Sequence, residues 1–185
     1  MTRNIAALPF NQMRRTDRQV EDEAWIKKML HESPTCAIAT VWEDQPFVST
    51  TLFVYDEQDH AIYTHTASTG RTRANVESNE RVCLTVSQMG RLFPAERAFD
   101  FGVEYASVVV FGRASVHADL SMARRFFEAF MHKYASHLRP GQDYVPPAED
   151  ELLKPVVYRI AIESWSGKRR EVEPDFPGAY SYSSL

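Results

Sequence analysis

Ile62-Tyr63-Thr64-His65-Thr66-Ala67-Ser68-Thr69-Gly70-Arg71-Thr72-Arg73-Ala74-Asn75-Val76 decides how the rest of the chain is read. A β-rich run ending at His65 gives way to small and hydroxyl residues, then Gly70, then a helix-compatible stretch. A helix start offers unpaired backbone N–H groups and a partial positive charge. Two arginines and three hydroxyls beside such a start make a cradle suited to a phosphate. The alternative local reading is a polar loop with solvated arginines.

Working outward, strands and turns dominate. Trp25, Ile26, Met29 and Leu30 recur at helical spacing between Asp22 and Glu32, and Ser33-Pro34 ends that helix. Strands are predicted over 35–42, 47–55, 60–65, 81–87, 104–117 and 155–163, with turns at 43–46 and 56–59. Short connections imply antiparallel neighbours. A short helix is predicted over 71–78. The stretch 88–102 has no clean period and reads as an apolar loop covering one end of the domain. Gly112 reads as a bulge or close-approach point. The clearest helix runs from Asp119 to Ala135, with Asp119 or Ser121 as cap and a stripe of Met122, Phe126, Phe127, Phe130, Met131 and Tyr134 suited to packing. These elements predict a mainly β, α+β domain: a six-stranded antiparallel barrel with packed helices. Residues 1–12 read as a flexible leader, 13–170 as the domain and 171–185 as a loop-like tail.

The bulk numbers fit that reading. The chain has 185 residues, 44% hydrophobic and 25% charged, which suits one domain with a sizeable core. A net charge of −4 argues against a nucleic-acid binder, which would carry a basic stripe. No apolar run is long enough to span a bilayer, and the first residues lack the apolar region of a signal peptide. Cys36 and Cys83 sit in strand-like runs and read as small buried hydrophobes, not as a disulfide framework or metal ligands. His132 and His137 are spaced wrongly to share a helix face, so no metal site is expected. The expected location is cytoplasmic.

Taken in order, Met13-Arg14-Arg15-Thr16-Asp17-Arg18, the run Gln45 to Asp56, the opening stretch, Arg81 to Val86, and Tyr105 to Ala114 resemble the pyridoxamine 5′-phosphate oxidase-like flavoproteins. The branch that includes nitroimidazole-resistance reductases is the nearest in pattern, over roughly residues 13 to 170. The resemblance implies an FMN-binding split barrel that forms a homodimer with its cofactor at the subunit interface. It implies that Val48, Ser49, Thr50 and Thr51 lie along the flavin ring and ribityl chain, with Tyr63 and Thr64 alongside. Gly70, Arg71 and Thr72 would hold the phosphate. His65, at the strand end, is then a candidate catalytic residue near flavin and substrate. Ser107 and Trp165 match positions that contact flavin in the oxidase branch, although packing is the simpler reading of Trp165.

The pattern departs from the family in four places. Thr51 stands where reductase relatives often have proline. Thr72 stands where many oxidases have lysine, leaving Arg73 as a replacement cation. Ser107 is shorter than the oxidases' glutamine. No histidine follows Trp165, so the oxidases' substrate clamp is missing. FMN is the expected cofactor, since no second phosphate motif and no dinucleotide glycine fingerprint appear. The expected activity passes electrons from NAD(P)H through the flavin to a small acceptor, nitroaromatics being the class the resemblance implies. The alternatives are a non-catalytic flavin- or haem-binding protein, for which His65 is the candidate axial ligand, and a deazaflavin-dependent reductase.

Overall fold

Eight strands, all paired antiparallel, build one sheet in the computed structural model, which describes residues 7–182. They are β1 (Gln19–Val20), β2 (Cys36–Trp42), β3 (Gln45–Thr51), β4 (Phe53–Asp56), β5 (Ala61–Ala67), β6 (Arg81–Phe93), β7 (Gly102–His117) and β8 (Pro155–Arg170). The sheet order is β3-β2-β6-β7-β8-β5-β4, with β1 added against β8. The helices are α1 (Glu23–Glu32), α2 (Arg71–Ser78), α3 (Leu120–Ala135) and α4 (Glu149–Leu152). The fold is the split barrel that the family resemblance implies.

Period-two burial makes the barrel. In β2 the side chains of Cys36, Ile38 and Thr40 are buried, while those between them are not. The same alternation buries Val82, Leu84 and Val86 in β6, and Val108 and Val110 in β7. These residues meet Ile62, Tyr158 and Ile160 in a single core. The α1 helix closes one end with Ile26, Met29 and Leu30, and Asp22 caps it by accepting from the Ala24 N–H at 2.9 Å. Across the outer face of β5 and β8 lies α3, whose Phe126 is buried against Val54, Tyr63 and Val157. Its cap is Asp119, which accepts from the Met122 N–H at 2.9 Å.

The strand count exceeds the expected six for two reasons. The run 47–55 divides at Leu52, where the chain leaves β2 and begins to pair with β5. The two residues of β1 are too few to carry a pattern. The stretch 88–102 is a loop only in part: residues 88–93 extend β6, which pairs as far as Phe93 with Gly102 at the start of β7, and residues 94–101 connect the two strands. A register shift between Met89 and Leu92 breaks its alternation, which hides the strand in the sequence. Likewise β8 continues beyond Glu163 to Arg170, and α4 forms in a stretch for which the sequence predicts no element. The tail lies along this chain's own arm. Tyr180 bridges Leu92, and the Arg91 guanidinium donates to Glu104 and to the carbonyls of Val172, Glu173 and Pro174. Residues 1–6 of the expected leader and 183–185 of the tail lie outside the described residues.

Gly112 sits at a bulge between β7 and β8. A Cβ built there would lie 2.3 Å from the Ala161 carbonyl oxygen, a backbone atom that cannot move alone. Gly112→Ala is therefore expected to destabilise the protein by about 1–3 kcal/mol, the usual cost of overpacking. Urea unfolding measures this, and an unchanged midpoint would contradict the close approach.

Candidate functional site

The barrel is open along one seam. Only the segment Phe53–Asp56 of β4 pairs with β5, opposite Thr64–Ala61. Past Thr64, β5 pairs on one side only, with β8, and β3 pairs only with β2. The seam is pinned at its base by hydroxyls. Thr51 and Thr64 share a hydrogen bond of 3.0 Å, and the Thr64 hydroxyl also reaches the Leu52 carbonyl at 2.9 Å. Above that pin, the edge of β3 and residues 65–67 of β5 carry unpaired backbone groups on their facing sides.

At the top of the seam stands the start of α2. Gly70, at φ +147°, occupies a conformation that L side chains rarely adopt, and nothing lies within 4 Å of where its Cβ would be. Among the described residues no side chain caps this helix. The first bond within it runs from the Ala74 N–H to the Gly70 carbonyl, leaving the N–H groups of residues 71–73 ahead of it. Asn75, fully buried, anchors α2 to the barrel by donating to the Thr40 hydroxyl at 2.9 Å.

The two arginines behave differently. Arg73 is committed: its Nε pairs with Glu77 at 2.7 Å, and its Nη1 donates to the Ser68 carbonyl at 2.5 Å. That pairing raises its pKa, and it removes Arg73 as a ready substitute for a second phosphate-binding cation. Arg71 is exposed, makes no ion pair among the described residues, and has its guanidinium 5.9 Å from the Trp42 ring centroid. Trp42, at the end of β2, carries no signal in the sequence beyond its place beside a turn. The fold brings it beside the cradle.

The other candidates are spread along the strands. Register places Ser49 and Thr51 on the inner side of β3, opposite Ile38 and Cys36, and turns Val48 and Thr50 outward. The side chains of Tyr63 and Thr64 are used by the fold. Tyr63 donates to Asp59 and lies beneath α3, while Thr64 closes the seam. His65 also faces α3, with its ring 5.2 Å from Phe126 and 5.7 Å from Phe130. Burial lowers its pKa, favouring neutral imidazole. Thr66 turns back inward and shares a 2.8 Å hydrogen bond with the Tyr158 hydroxyl.

Ser107 and Trp165 are not near the cradle in this chain. The row through His65 passes Val157 of β8 and His117 of β7. Ser107 lies roughly 30 Å along β7 from that row, and Trp165 roughly 25 Å along β8, at the usual strand rise. Trp165 packs edge-on against Tyr55 and His60, at 6.4 and 4.9 Å between centroids.

The outer sheet face is apolar: Ala39, Val41, Cys83 and Phe111 line a shallow pocket of about 230 Å³, with Phe10 stacked 5.8 Å from Phe111. Val48, 62% exposed, lies opposite Ala39. Among the described residues no helix is long and apolar enough to cross a membrane.

Comparison with known proteins agrees with this architecture. The chain is similar to the flavocytochrome Anf3 from Azotobacter vinelandii, at 26% identity over 91% of this chain and 81% of that one, with a TM-score of 0.75. It is similar to an FAD- and haem-binding protein from Mycobacterium smegmatis, at 19% identity over 85% and 76% of the two chains, with a TM-score of 0.69. A candidate 5-nitroimidazole antibiotic resistance protein from Bacteroides thetaiotaomicron superposes at a TM-score of 0.68, with 18% identity over 82% and 86% of the two chains. No curated protein matches the chain significantly. The family model described as pyridoxamine 5′-phosphate oxidase matches residues 22–169, most of the chain, and by that match the chain belongs to the pyridoxamine 5′-phosphate oxidase family.

Proposed function

We propose that this chain is an FMN-dependent oxidoreductase whose functional unit spans residues 13–170. The observation that carries the reading is the uncapped start of α2, with open space at Gly70 and an Arg71 that has no ion-pair partner among the described residues, standing over the barrel's open seam. This donor set fits one phosphate group: backbone N–H groups, the Thr72 hydroxyl and a single guanidinium. With Arg73 tied to Glu77, little charge is left for a second phosphate, which favours the mononucleotide over FAD.

In this reading the phosphate rests on residues 70–72, and the ribityl chain and ring follow β3 past Val48, Ser49, Thr50 and Thr51. Bound flavin would supply the redox chemistry, taking electrons from a reduced nicotinamide and passing them to a small acceptor. The chain's own work is to bind, orient and shield it. Backbone groups of β3 and of residues 65–67 are free to hydrogen-bond a ring edge. Ser107 and Trp165 lie too far away to join the same site from the same chain. They would complete a partner's site in a two-fold dimer, and the apolar face around Val48, Ala39 and Phe111 is the surface such a dimer would cover. Similarity to a flavocytochrome and to an FAD- and haem-binding protein supports a redox cofactor, and similarity to the nitroimidazole-resistance protein supports a nitroaromatic acceptor.

The test is reconstitution. The purified chain titrated with FMN should bind it saturably, with perturbed flavin absorption bands. Light scattering should report about twice the 21.2 kDa chain mass. Addition of NADPH without oxygen should bleach the flavin, and a nitroaromatic should restore its colour. A Soret band in place of flavin bands, or tight FMN binding by a monomer, would overturn the reading.

A further inference from the structure

We propose that the chain carries a second ligand site, a cluster of Arg18, Tyr105 and Lys168 on the outer face of the sheet that takes a doubly charged phosphate group. It lies where β1, β8 and β7 run side by side. Lys168 pairs with Gln19 of β1 on one side and with Ser107 of β7 on the other. Alternation along β7 puts Tyr105 and Ser107 on the face opposite the buried Val108 and Val110. Arg18 Nη1 donates to the Tyr105 hydroxyl at 3.2 Å, and the Lys168 ammonium lies 5.2 Å from the Tyr105 ring centroid. All three residues keep part of their surface open to solvent, and the Arg18 side chain is 21% exposed.

The segment Arg14-Arg15-Thr16-Asp17-Arg18 is built to hold Arg18 in place. Arg15 grips the Asp17 carboxylate through Nε at 2.7 Å and Nη2 at 2.5 Å. The Arg18 N–H closes the turn on the Arg15 carbonyl at 3.1 Å. Directly after it, β1 pairs with β8, Val20 lying opposite Gly167. Asp17 is thus occupied by Arg15, and Arg18 keeps only a 3.8 Å approach to it. Other carboxylates nearby are engaged as well: Glu104 with Arg91 at 2.7 Å, Glu171 with Arg169 at 3.5 Å, and Glu21 with the Gln19 amide at 3.4 Å. Lys168 makes no ion pair among the described residues.

Charge, geometry and potential define the ligand. Arg18 and Lys168 stand together with little free carboxylate to balance them, so a dianion gains more here than a monoanion. A phosphate monoester offers three acceptor oxygens, and the guanidinium, the ammonium and the phenol hydroxyl can each supply a donor. The Tyr105 oxygen already accepts from Arg18, so its own proton is left for a ligand, and no acceptor for it is found among the described residues. Burial would raise the Tyr105 phenol, yet the Arg18 hydrogen bond and the neighbouring Lys168 outweigh burial and draw it below its ordinary value. Negative charge is therefore favoured at this point. The site is also distinct from the α2 cradle. Tyr105 lies on the order of 40 Å along β7 from His117, in the row of His65, so within one chain a phosphate held at α2 cannot reach it.

The experiment uses the full chain without added cofactor and two small probes, methyl phosphate and acetate. Each is titrated at constant ionic strength and about pH 7.5, above the second pKa of about 6 of a phosphate monoester. The ¹³Cζ resonances of the eight tyrosines report this site, and the Thr72 amide reports the start of α2. Methyl phosphate should move Tyr105 saturably, and acetate should bind there roughly tenfold or more weakly, the scale of one lost charge-assisted hydrogen bond. Lys168→Gln should weaken the Tyr105 response to methyl phosphate roughly tenfold, leave any Thr72 response as it is, and let the Tyr105 phenol titrate closer to its ordinary value. Arg71→Ala should leave the Tyr105 response unchanged. No saturable movement of Tyr105, equal affinity for the two probes, or an unaltered response in Lys168→Gln would overturn the proposal. The Thr72 response bears on the flavin reading alone, so the two can fail separately.

Discussion

Arg71→Ala is expected to raise the FMN dissociation constant by roughly 30- to 150-fold, or about 2–3 kcal/mol, the scale of a lost charge-assisted hydrogen bond. Arg71 is exposed and makes no ion pair among the described residues, so its removal leaves no partner stranded and should not disturb the fold. Arg73→Ala is the informative control. Its guanidinium is already occupied by Glu77 and the Ser68 carbonyl, so its loss should change flavin affinity by less, within the few tenths of a kcal/mol of an exposed i,i+4 pair. Isothermal titration of the apo protein separates the two, with far-ultraviolet circular dichroism to confirm that each variant is folded. An unchanged affinity in Arg71→Ala, or a larger loss in Arg73→Ala, would remove the phosphate from this helix start.

The cradle is legible in the sequence because helix starts, glycine and arginine each leave a local mark. What the sequence does not supply is the company each residue keeps. Arg71 and Arg73 are equivalent in one dimension. Only helical geometry, with Glu77 one turn on, tells the occupied cation from the open one. Chain order alone puts His65 beside a cofactor, since it follows Thr64 and precedes the turn. Strand alternation sends it the other way, towards α3, and the same alternation can be inferred once Thr64 is known to point inward. Trp42 reaches Arg71 through the packing of α2 on β2, a contact between residues far apart in sequence. Gly112 stands out because glycine weakens a strand unless a bulge or a close backbone approach requires it. The β6–β7 arm does not stand out, because an irregular register has no period to detect. The Trp42–Arg71 contact is a tertiary fact that local propensity does not encode.

Phe53→Ala is expected to destabilise the protein by about 3–5 kcal/mol, the usual cost of deleting a buried phenyl ring. Phe53 is fully buried at the point where the chain leaves β3 and enters β4. Its N–H donates to the Tyr134 hydroxyl at 3.0 Å, and that hydroxyl also reaches the carbonyls of Pro34 at 2.8 Å and Phe53 at 2.9 Å. One ring thus sits where the seam's base, α3 and the end of α1 meet. The Lys133 ammonium lies 3.7 Å from the Phe53 ring centroid, and burial pushes its pKa down to about 8. The sign of the resulting pH effect follows. Between about 8 and the ordinary lysine value the unfolded chain binds the extra proton, so this residue's penalty fades as pH rises through that window. Removing the ring should let water reach Lys133 and return its pKa towards 10.5. Urea unfolding of Phe53→Ala should therefore show a large drop in midpoint at neutral pH. A ¹³C-detected titration of Lys133 in the folded variant should move upward. Phe53→Leu, which keeps most of the volume, should lose much less than Phe53→Ala. If Phe53→Ala loses less than about 1 kcal/mol, well below the range for a buried ring, or Lys133 titrates unchanged, then Phe53 neither holds the base of the seam nor shields the ammonium. The stability of the barrel's closure would then have to come from the Thr51–Thr64 hydroxyl pin and from Tyr134.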